Sequence, residues 1–223
     1  LWMWGLSLTI DMEKQYERPA KIYMDTINLA FSYVFAVFGF RVRIHGAEKL
    51  PEERFLIVAN HISGFDPLLV ISGLRKTWIT FVSKPENFKI PVIGRYMHRC
   101  RHLPIDRENP RNALVTINEA ADLISGDIVS VGIFPEGTRS KTGEMGEFKN
   151  GALKIAQKAK CPVVVSCIVG TDQIIKKPFR WKKVELYVCR TLSRQELEGK
   201  KTAEMAEEIK NIILAQQESL KKG

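Results

Sequence analysis

Residues 55–67 read Phe55-Leu56-Ile57-Val58-Ala59-Asn60-His61-Ile62-Ser63-Gly64-Phe65-Asp66-Pro67. Five apolar residues that end abruptly in polar ones describe a buried strand whose far end delivers side chains to a crevice, the place where α/β sheets bind ligands. His61 is the candidate general base, because imidazole exchanges a proton near neutral pH, and Asp66 is the candidate group that orients it. Residues five apart in a regular helix lie about 140° apart around the axis. Gly64 is therefore expected to help the chain turn back so that the two side chains touch. Two plainer readings stand beside this one. His61 could be a hydrogen-bonded structural residue, and Asp66-Pro67 could simply be an N-cap followed by proline at the first helical position.

A second apolar run, Ile128-Val129-Ser130-Val131-Gly132-Ile133-Phe134, breaks into Pro135-Glu136-Gly137-Thr138-Arg139-Ser140 in the same way. A rigid proline, a turn-forming glycine and a Glu/Arg pair three apart follow a core strand, and arginine suits phosphate because its planar fork can bond two oxygens at once. Thr138 and Ser140 add hydroxyl groups. A charged loop would look similar, but two such strand ends in one chain point to a shared site. Lys84, after the run Trp78-Ile79-Thr80-Phe81-Val82, and Arg107, at the end of Leu103-Pro104-Ile105-Asp106-Arg107, are placed to reach the same crevice.

Further expected elements are a strand over 41–45, helices over 67–74, 111–125 and from 148 to about 160, and strands over 162–169 and 184–189. Leu114, Ile117, Ala121 and Ile124 mark the inner stripe of the second helix, and Gly126 its end. Met205, Ile209, Ile212 and Ile213 mark an amphipathic C-terminal helix. The expectation is an α/β fold: a single domain over 41–223 with a mostly buried central sheet flanked by helices. Residues 1–40 precede it as an apolar helical membrane anchor. Leu29 to Phe40 is apolar apart from Ser32 but shorter than the ~20 residues a bilayer span needs, so an interfacial helix is expected. Trp2 and Trp4 would sit at the headgroups and Arg41 and Arg43 would meet anionic lipid. A helix packed on the core is the alternative. The first ten residues lack the basic stretch of a signal peptide.

The 223 residues carry 34 Lys and Arg against 25 Asp and Glu, a formal charge of +9. That excess calls for an anionic partner: nucleic acid, a phosphate-bearing substrate or an acidic membrane. The run Lys176-Lys177-Pro178-Phe179-Arg180-Trp181-Lys182-Lys183 could grip nucleic acid, rest on a bilayer or be a solvated loop. Cys100, Cys161, Cys167 and Cys189 form no C-x-x-C pair and read as reduced, buried residues. His98 and His102 flank Cys100, but Arg95, Arg99 and Arg101 would repel a cation there, so no metal is expected.

Asn60-His61-Ile62-Ser63-Gly64-Phe65-Asp66, Ile105-Asp106-Arg107, Phe134-Pro135-Glu136-Gly137-Thr138-Arg139-Ser140 and Pro162-Val163-Val164-Val165 together resemble the four ordered motifs of the glycerophospholipid acyltransferase family. Phe148-Lys149-Asn150-Gly151-Ala152 also looks like a family stretch, and Ser166 departs from it where a second proline is common. The resemblance implies acyl transfer from acyl-CoA or acyl-carrier protein to the sn-2 hydroxyl of 1-acyl-sn-glycerol-3-phosphate (lysophosphatidic acid), forming phosphatidic acid in phospholipid biosynthesis. His61 and Asp66 would be catalytic, and Lys84, Arg107, Glu136, Gly137, Thr138 and Arg139 substrate-binding. Glu136 would position the glycerol or brace Arg139, and backbone N–H groups at the start of the helix after Asp66 would hold the oxyanion. No tightly bound cofactor is implied, and the partners are the thioester donor, lysophosphatidic acid and an anionic membrane surface rather than nucleic acid. The implied location is the cytoplasmic face of the cell membrane, peripheral or monotopic. Competing readings are another lyso-lipid or glycerol phosphate acceptor, a hydrolase using Ser63, and a non-catalytic basic module binding membrane or nucleic acid.

Overall fold

The computed structural model describes residues 2–140, 145–176 and 182–222. In chain order the strands are β1 (Phe40–His45), β2 (Leu56–Ala59), β3 (Ile79–Ser83), β4 (Leu103–Pro104), β5 (Ser130–Ile133), β6 (Val163–Val169) and β7 (Lys182–Leu192). The helices are α1 (Trp2–Ser7), α2 (Lys21–Val37), α3 (Asp66–Gly73), α4 (Ile93–Arg99), α5 (Pro110–Ser125), α6 (Lys154–Ala159), α7 (Gln173–Lys176), α8 (Arg194–Leu197) and α9 (Thr202–Lys222). Among the described residues the strands form one sheet in the order β1-β7-β6-β2-β5-β3-β4. Five of them, β6 to β4 in that order, run parallel, while β7 is antiparallel to β6 and carries β1 parallel to itself. The sheet is therefore mixed.

Strands β2, β5 and β6 are buried at every position but Val169 because helices cover both faces of the sheet, which removes the alternation a half-solvated strand would show. Leu56 and Val58 of β2 pack in one layer with Ile117 of α5, Ile155 of α6 and Ile209 of α9. Phe55, Ile57 and Ala59 pack in the other with Met24, Ile27 and Phe35 of α2 and Leu69 and Val70 of α3. Each such aliphatic or aromatic side chain contributes about 1.5–3 kcal/mol when fully buried. Residues 1–40 thus share this second layer through Ile10, Met24, Ile27 and Phe35. Arg95 of α4 ties the first segment down by donating to the Ser7 and Ile10 carbonyls at 2.9 and 2.7 Å.

The outer face of α2 is also apolar: Ile22, Leu29, Tyr33 and Val37 are exposed, and at 100° per residue they fall on one stripe. No helix among the described residues is long and apolar enough to cross a membrane. Along α5, Ile117, Ala121 and Ile124 face the core as expected, but Leu114 is 43% exposed, because the helix begins at Pro110 beyond the edge strand β4. The expected helix from 148 to 160 is a 3-10 turn, Asn150–Leu153, followed by α6. Most of the basic stretch over 176–183 lies outside the described residues.

Candidate active site

The carboxyl ends of β2, β5, β3 and β4 lie side by side, and the two polar strand ends singled out in the sequence meet there because β2 and β5 are neighbours in parallel register. His61 Nδ1 lies 2.7 Å from Asp66 Oδ2. The same oxygen accepts the N–H groups of Ile62 at 2.7 Å and Ser63 at 2.8 Å. With that oxygen already accepting from backbone, His61 Nδ1 is placed to donate to it as well, the tautomer that puts the lone pair of a neutral ring on Nε2. Asp66 is fully buried and the His61 side chain 17% exposed, a shielded orienter behind a reachable base.

Asp66 is the first residue of α3, and Phe65 stands at the N-cap. Its carboxylate caps the preceding loop instead of the helix, which is what brings it to His61. Gly64 contributes no left-handed backbone angle; the turn closes through Asp66 N–H to Ser63 O at 3.2 Å and Phe65 N–H to Ser63 Oγ at 3.3 Å. Gly64 leaves room instead, with Arg139 Nη1 3.8 Å from where a β-carbon would stand. The Ser63 hydroxyl is buried and turned into its own loop, so a Ser63 nucleophile has no geometric support.

The His61 ring stacks on Phe134, centroids 4.3 Å apart, and Phe134 stacks on Phe81 at 5.3 Å. Phe81 lies across Gly132, where any β-carbon would stand 2.4 Å from the ring. The strand glycine is therefore a packing requirement that sets the floor under the base. Asn60 fixes the loop from the other side, donating to Ile168 O at 3.0 Å and accepting Ile168 N–H at 2.7 Å.

Glu136 departs from its expected place. It is buried and accepts the His61 N–H at 2.8 Å and the Gly146 N–H at 2.9 Å. Each oxygen accepts from backbone, so its described hydrogen bonds go to these N–H groups rather than to Arg139. Gly137 adopts φ +72°, and its carbonyl accepts from Arg107 Nη1. Arg107 Nη1 and Lys149 Cε lie 3.6 and 3.4 Å from where a Gly137 β-carbon would stand. Thr138 and Arg139 are exposed beside this turn. Arg107, Arg139 and Lys149 thus stand around this turn, with the Glu86 carboxylate acting on Arg107 and Glu136 turned inward. Lys84 is exposed at the end of β3, outside this hydrogen-bonded group. Asp106 and Arg107 do not pair: Asp106 accepts from Glu108, Asn109 and Asn112.

The backbone donors expected at the start of α3 are largely engaged. The N–H groups of Ile62 and Ser63 serve Asp66, that of Leu69 bonds Phe65 O at 2.9 Å, and Pro67 has none. Burial pushes the Cys100 and Cys167 thiols up to about 12 and those of Cys161 and Cys189 to about 11, so none offers a thiolate at neutral pH. His102 is buried and accepts the Phe81 N–H at 3.2 Å, and His98 hydrogen-bonds the Lys14 carbonyl at 2.9 Å. The two histidines serve different elements.

Two residues escaped the sequence reading. Lys149 was visible only as part of a run opening a helix. Thr171 lies just past β6, where a third core strand gives way to Gly170-Thr171-Asp172; its hydroxyl donates to Asp66 Oδ1. The polar residues after that strand were the signal available.

A mixed α/β sheet with a buried aspartate holding a histidine at the ends of its parallel strands sets an oriented imidazole where such sheets bind ligands. The chain belongs to the Acyltransferase family, whose model matches residues 41–169. It is 31% identical over 172 residues to a protein of Mycoplasma pneumoniae named probable 1-acyl-sn-glycerol-3-phosphate acyltransferase, covering 75% of this chain and 64% of that one. It is 38% identical over 138 residues to the chloroplastic 1-acyl-sn-glycerol-3-phosphate acyltransferase BAT2 of Brassica napus, covering 61% of this chain and 39% of that one. The chain thus spans less than two thirds of the length of these relatives. The crystal structure of the 1-acyl-sn-glycerophosphate acyltransferase PlsC from Thermotoga maritima superposes with a TM-score of 0.77 at 25% identity, over 99% of this chain and 87% of that one. The fold is the α/β acyltransferase fold, with its mixed sheet flanked by helices.

Proposed function

We propose that the protein transfers a fatty acyl group from a thioester, acyl-CoA or acyl-carrier protein, to the sn-2 hydroxyl of 1-acyl-sn-glycerol-3-phosphate, giving phosphatidic acid for phospholipid biosynthesis. The observation that carries this reading is the 2.7 Å contact between His61 Nδ1 and Asp66 Oδ2, which turns Nε2 out as a base near Arg107, Arg139 and Lys149. Nε2 takes the hydroxyl proton as that oxygen attacks the thioester carbonyl, and Asp66 stabilises the imidazolium that forms. The tetrahedral intermediate collapses with loss of the thiolate, which takes the proton back from Nε2. The ester C–O bond forms, the C–S bond breaks, and no acyl-enzyme or tightly bound cofactor enters. Arg107, Arg139 and Lys149 hold the acceptor phosphate, Gly137 and Thr138 shape the turn beneath it, and Lys84 is a further cation at the rim.

The names of the relatives support this choice of acceptor. The exposed stripe of α2, together with Trp2, Trp4 and Leu8, supports membrane contact, since contiguous apolar surface marks interaction sites. We place the protein as a monotopic protein on the cytoplasmic face of the cell membrane, with residues 1–40 as the contact segment and the thioester and acidic lipid as partners.

Transfer of a labelled acyl group from acyl-CoA to lysophosphatidic acid, in detergent or vesicles, tests the reading. His61→Ala, shown to be folded by its melting curve, is expected to lose roughly 10²- to 10⁴-fold in rate. A fully active His61→Ala would make His61 structural and overturn the mechanism. No product from the unaltered protein would overturn the substrate assignment.

A further inference from the structure

Asp66 has two oxygens, and only Oδ2 works on the base. It receives His61 Nδ1–H and the N–H groups of Ile62 and Ser63, all from one loop. Oδ1 faces the opposite way, in a place where Asp66 has no solvent exposure at all. A carboxylate torsion is broad and roughly two-fold. A group held at one oxygen by one loop could therefore twist, and each twist would carry the His61 ring with it. Oδ1 meets a single described donor, the hydroxyl of Thr171, which is itself fully buried.

That donor lies just past a different strand, β6, and is rigidly delivered. Gly170, before it, takes φ +86°, and a β-carbon there would lie 2.6 Å from the Lys183 carbonyl. The chain at that point is pressed against β7 where no other residue fits without strain. After it, Gln173 N–H bonds Gly170 O at 3.1 Å and Ile174 N–H bonds Thr171 O at 3.3 Å. Two residues before Gly170, Ile168 is clasped by both ends of the Asn60 amide. Strand β6 therefore grips the loop from its root at Asn60 and from its buried end at Asp66, with His61 between them.

We infer that Thr171 is a positioning residue for the acyl transfer: its hydroxyl fixes the plane of the Asp66 carboxylate, and through it the direction in which His61 Nε2 faces the acceptor. This rests on the proposed reaction, in which His61 is the base. The role needs a hydroxyl in that place and nothing else of the side chain. Serine supplies it; valine, of the same shape, does not.

The test compares Thr171→Val and Thr171→Ser with the unaltered protein in acyl transfer from acyl-CoA to lysophosphatidic acid. It also follows, by proton NMR without substrate, the His61 Nδ1 proton in its hydrogen bond to Asp66. Thr171→Val is expected to lose about 10- to 100-fold in kcat, the worth of a hydrogen bond to a charged group, with KM for both substrates within about twofold. Its Nδ1 proton signal should shift or broaden, and Thr171→Ser should restore both the signal and most of the rate. Unchanged kcat and an unmoved signal in Thr171→Val would overturn the proposal, as would a Thr171→Ser as impaired as Thr171→Val. If valine prevents folding, the unaltered protein still decides: a Thr171 hydroxyl proton protected from exchange is required, and a freely exchanging one refutes the role. A shifted Nδ1 signal in a protein that acylates no lysophosphatidic acid would uphold the positioning role and remove the substrate reading instead.

Discussion

The Glu136 carboxylate accepts the His61 backbone N–H at 2.8 Å and the Gly146 N–H at 2.9 Å, so one buried side chain staples the loop that carries the base to the loop that carries the cations. Glutamine can accept from one of those N–H groups but turns its own NH2 toward the other. Glu136→Gln should therefore lower kcat about tenfold and the unfolding free energy by ~1–2 kcal/mol. Glu136→Ala, which orphans both donors, should do worse on both counts. If Glu136 touched the acceptor instead, glutamine would raise KM and leave the melting temperature alone.

The cations around Gly137 make a separable prediction. Lys149 Cε and Arg107 Nη1 approach the Gly137 turn to within 3.4 and 3.6 Å of a β-carbon position, and Arg139 borders Gly64 at 3.8 Å. Lys149→Ala and Arg139→Ala should each raise KM for lysophosphatidic acid by about 10- to 100-fold, the range for a charge-assisted hydrogen bond. Their activity on a monoacylglycerol lacking the phosphate, however low, should be unaffected. An equal loss on both acceptors would show that these side chains serve the structure rather than the phosphate.

How much of this was legible in the sequence depends on the range over which each feature is fixed. The strand ends at Ala59 and Ile133 could be read because apolar runs buried on both faces stop sharply where the chain meets solvent. The His61–Asp66 pair was legible because both partners lie in one loop. The role of Glu136 was not. Its partners are the backbone N–H groups of His61 and Gly146, and every residue except proline offers one, so side-chain identities give no hint of the pairing. Thr171 lies 105 residues from Asp66 in the chain, and only the register of β6 beside β2 brings it there. The order of the sheet, with β7 and β1 reversed at one edge, was equally out of reach, since local pattern does not specify strand neighbours.

His102 makes stability depend on pH. Burial holds its imidazole down at about 4, against an ordinary value of 6.5, and its Nδ1 accepts the Phe81 N–H at 3.2 Å. Between those values the unfolded chain binds a proton that the folded one refuses, so this contribution is complete above pH 6.5 and is lost as pH falls toward 4. The full span is worth ~3 kcal/mol at 1.36 kcal/mol per unit. Melting temperatures measured across that window should fall more steeply for the unaltered protein than for His102→Gln, which has no proton to gain. Parallel curves would mean that the ring titrates freely in the folded state.

Membrane contact can be tested without dismantling the core. Removing residues 1–40 would also strip Met24, Ile27 and Phe35 from the layer they share with β2 and α3, so loss of binding after that deletion would say little. Leu29 and Tyr33 lie on the outer stripe of α2, 71% and 68% exposed, and neither is among the fully buried residues that hold the fold. Placing charges there sets a cost of a few kcal/mol against insertion into the acyl region while leaving the inner face of α2 untouched. Leu29→Glu combined with Tyr33→Glu should abolish co-sedimentation with anionic vesicles, keep the melting temperature within a degree or two, and retain acyl transfer to lysophosphatidic acid presented in detergent micelles. If the doubly charged protein still sediments with the vesicles, the stripe is not the membrane face, and the excess of basic residues elsewhere on the surface becomes the attachment to examine.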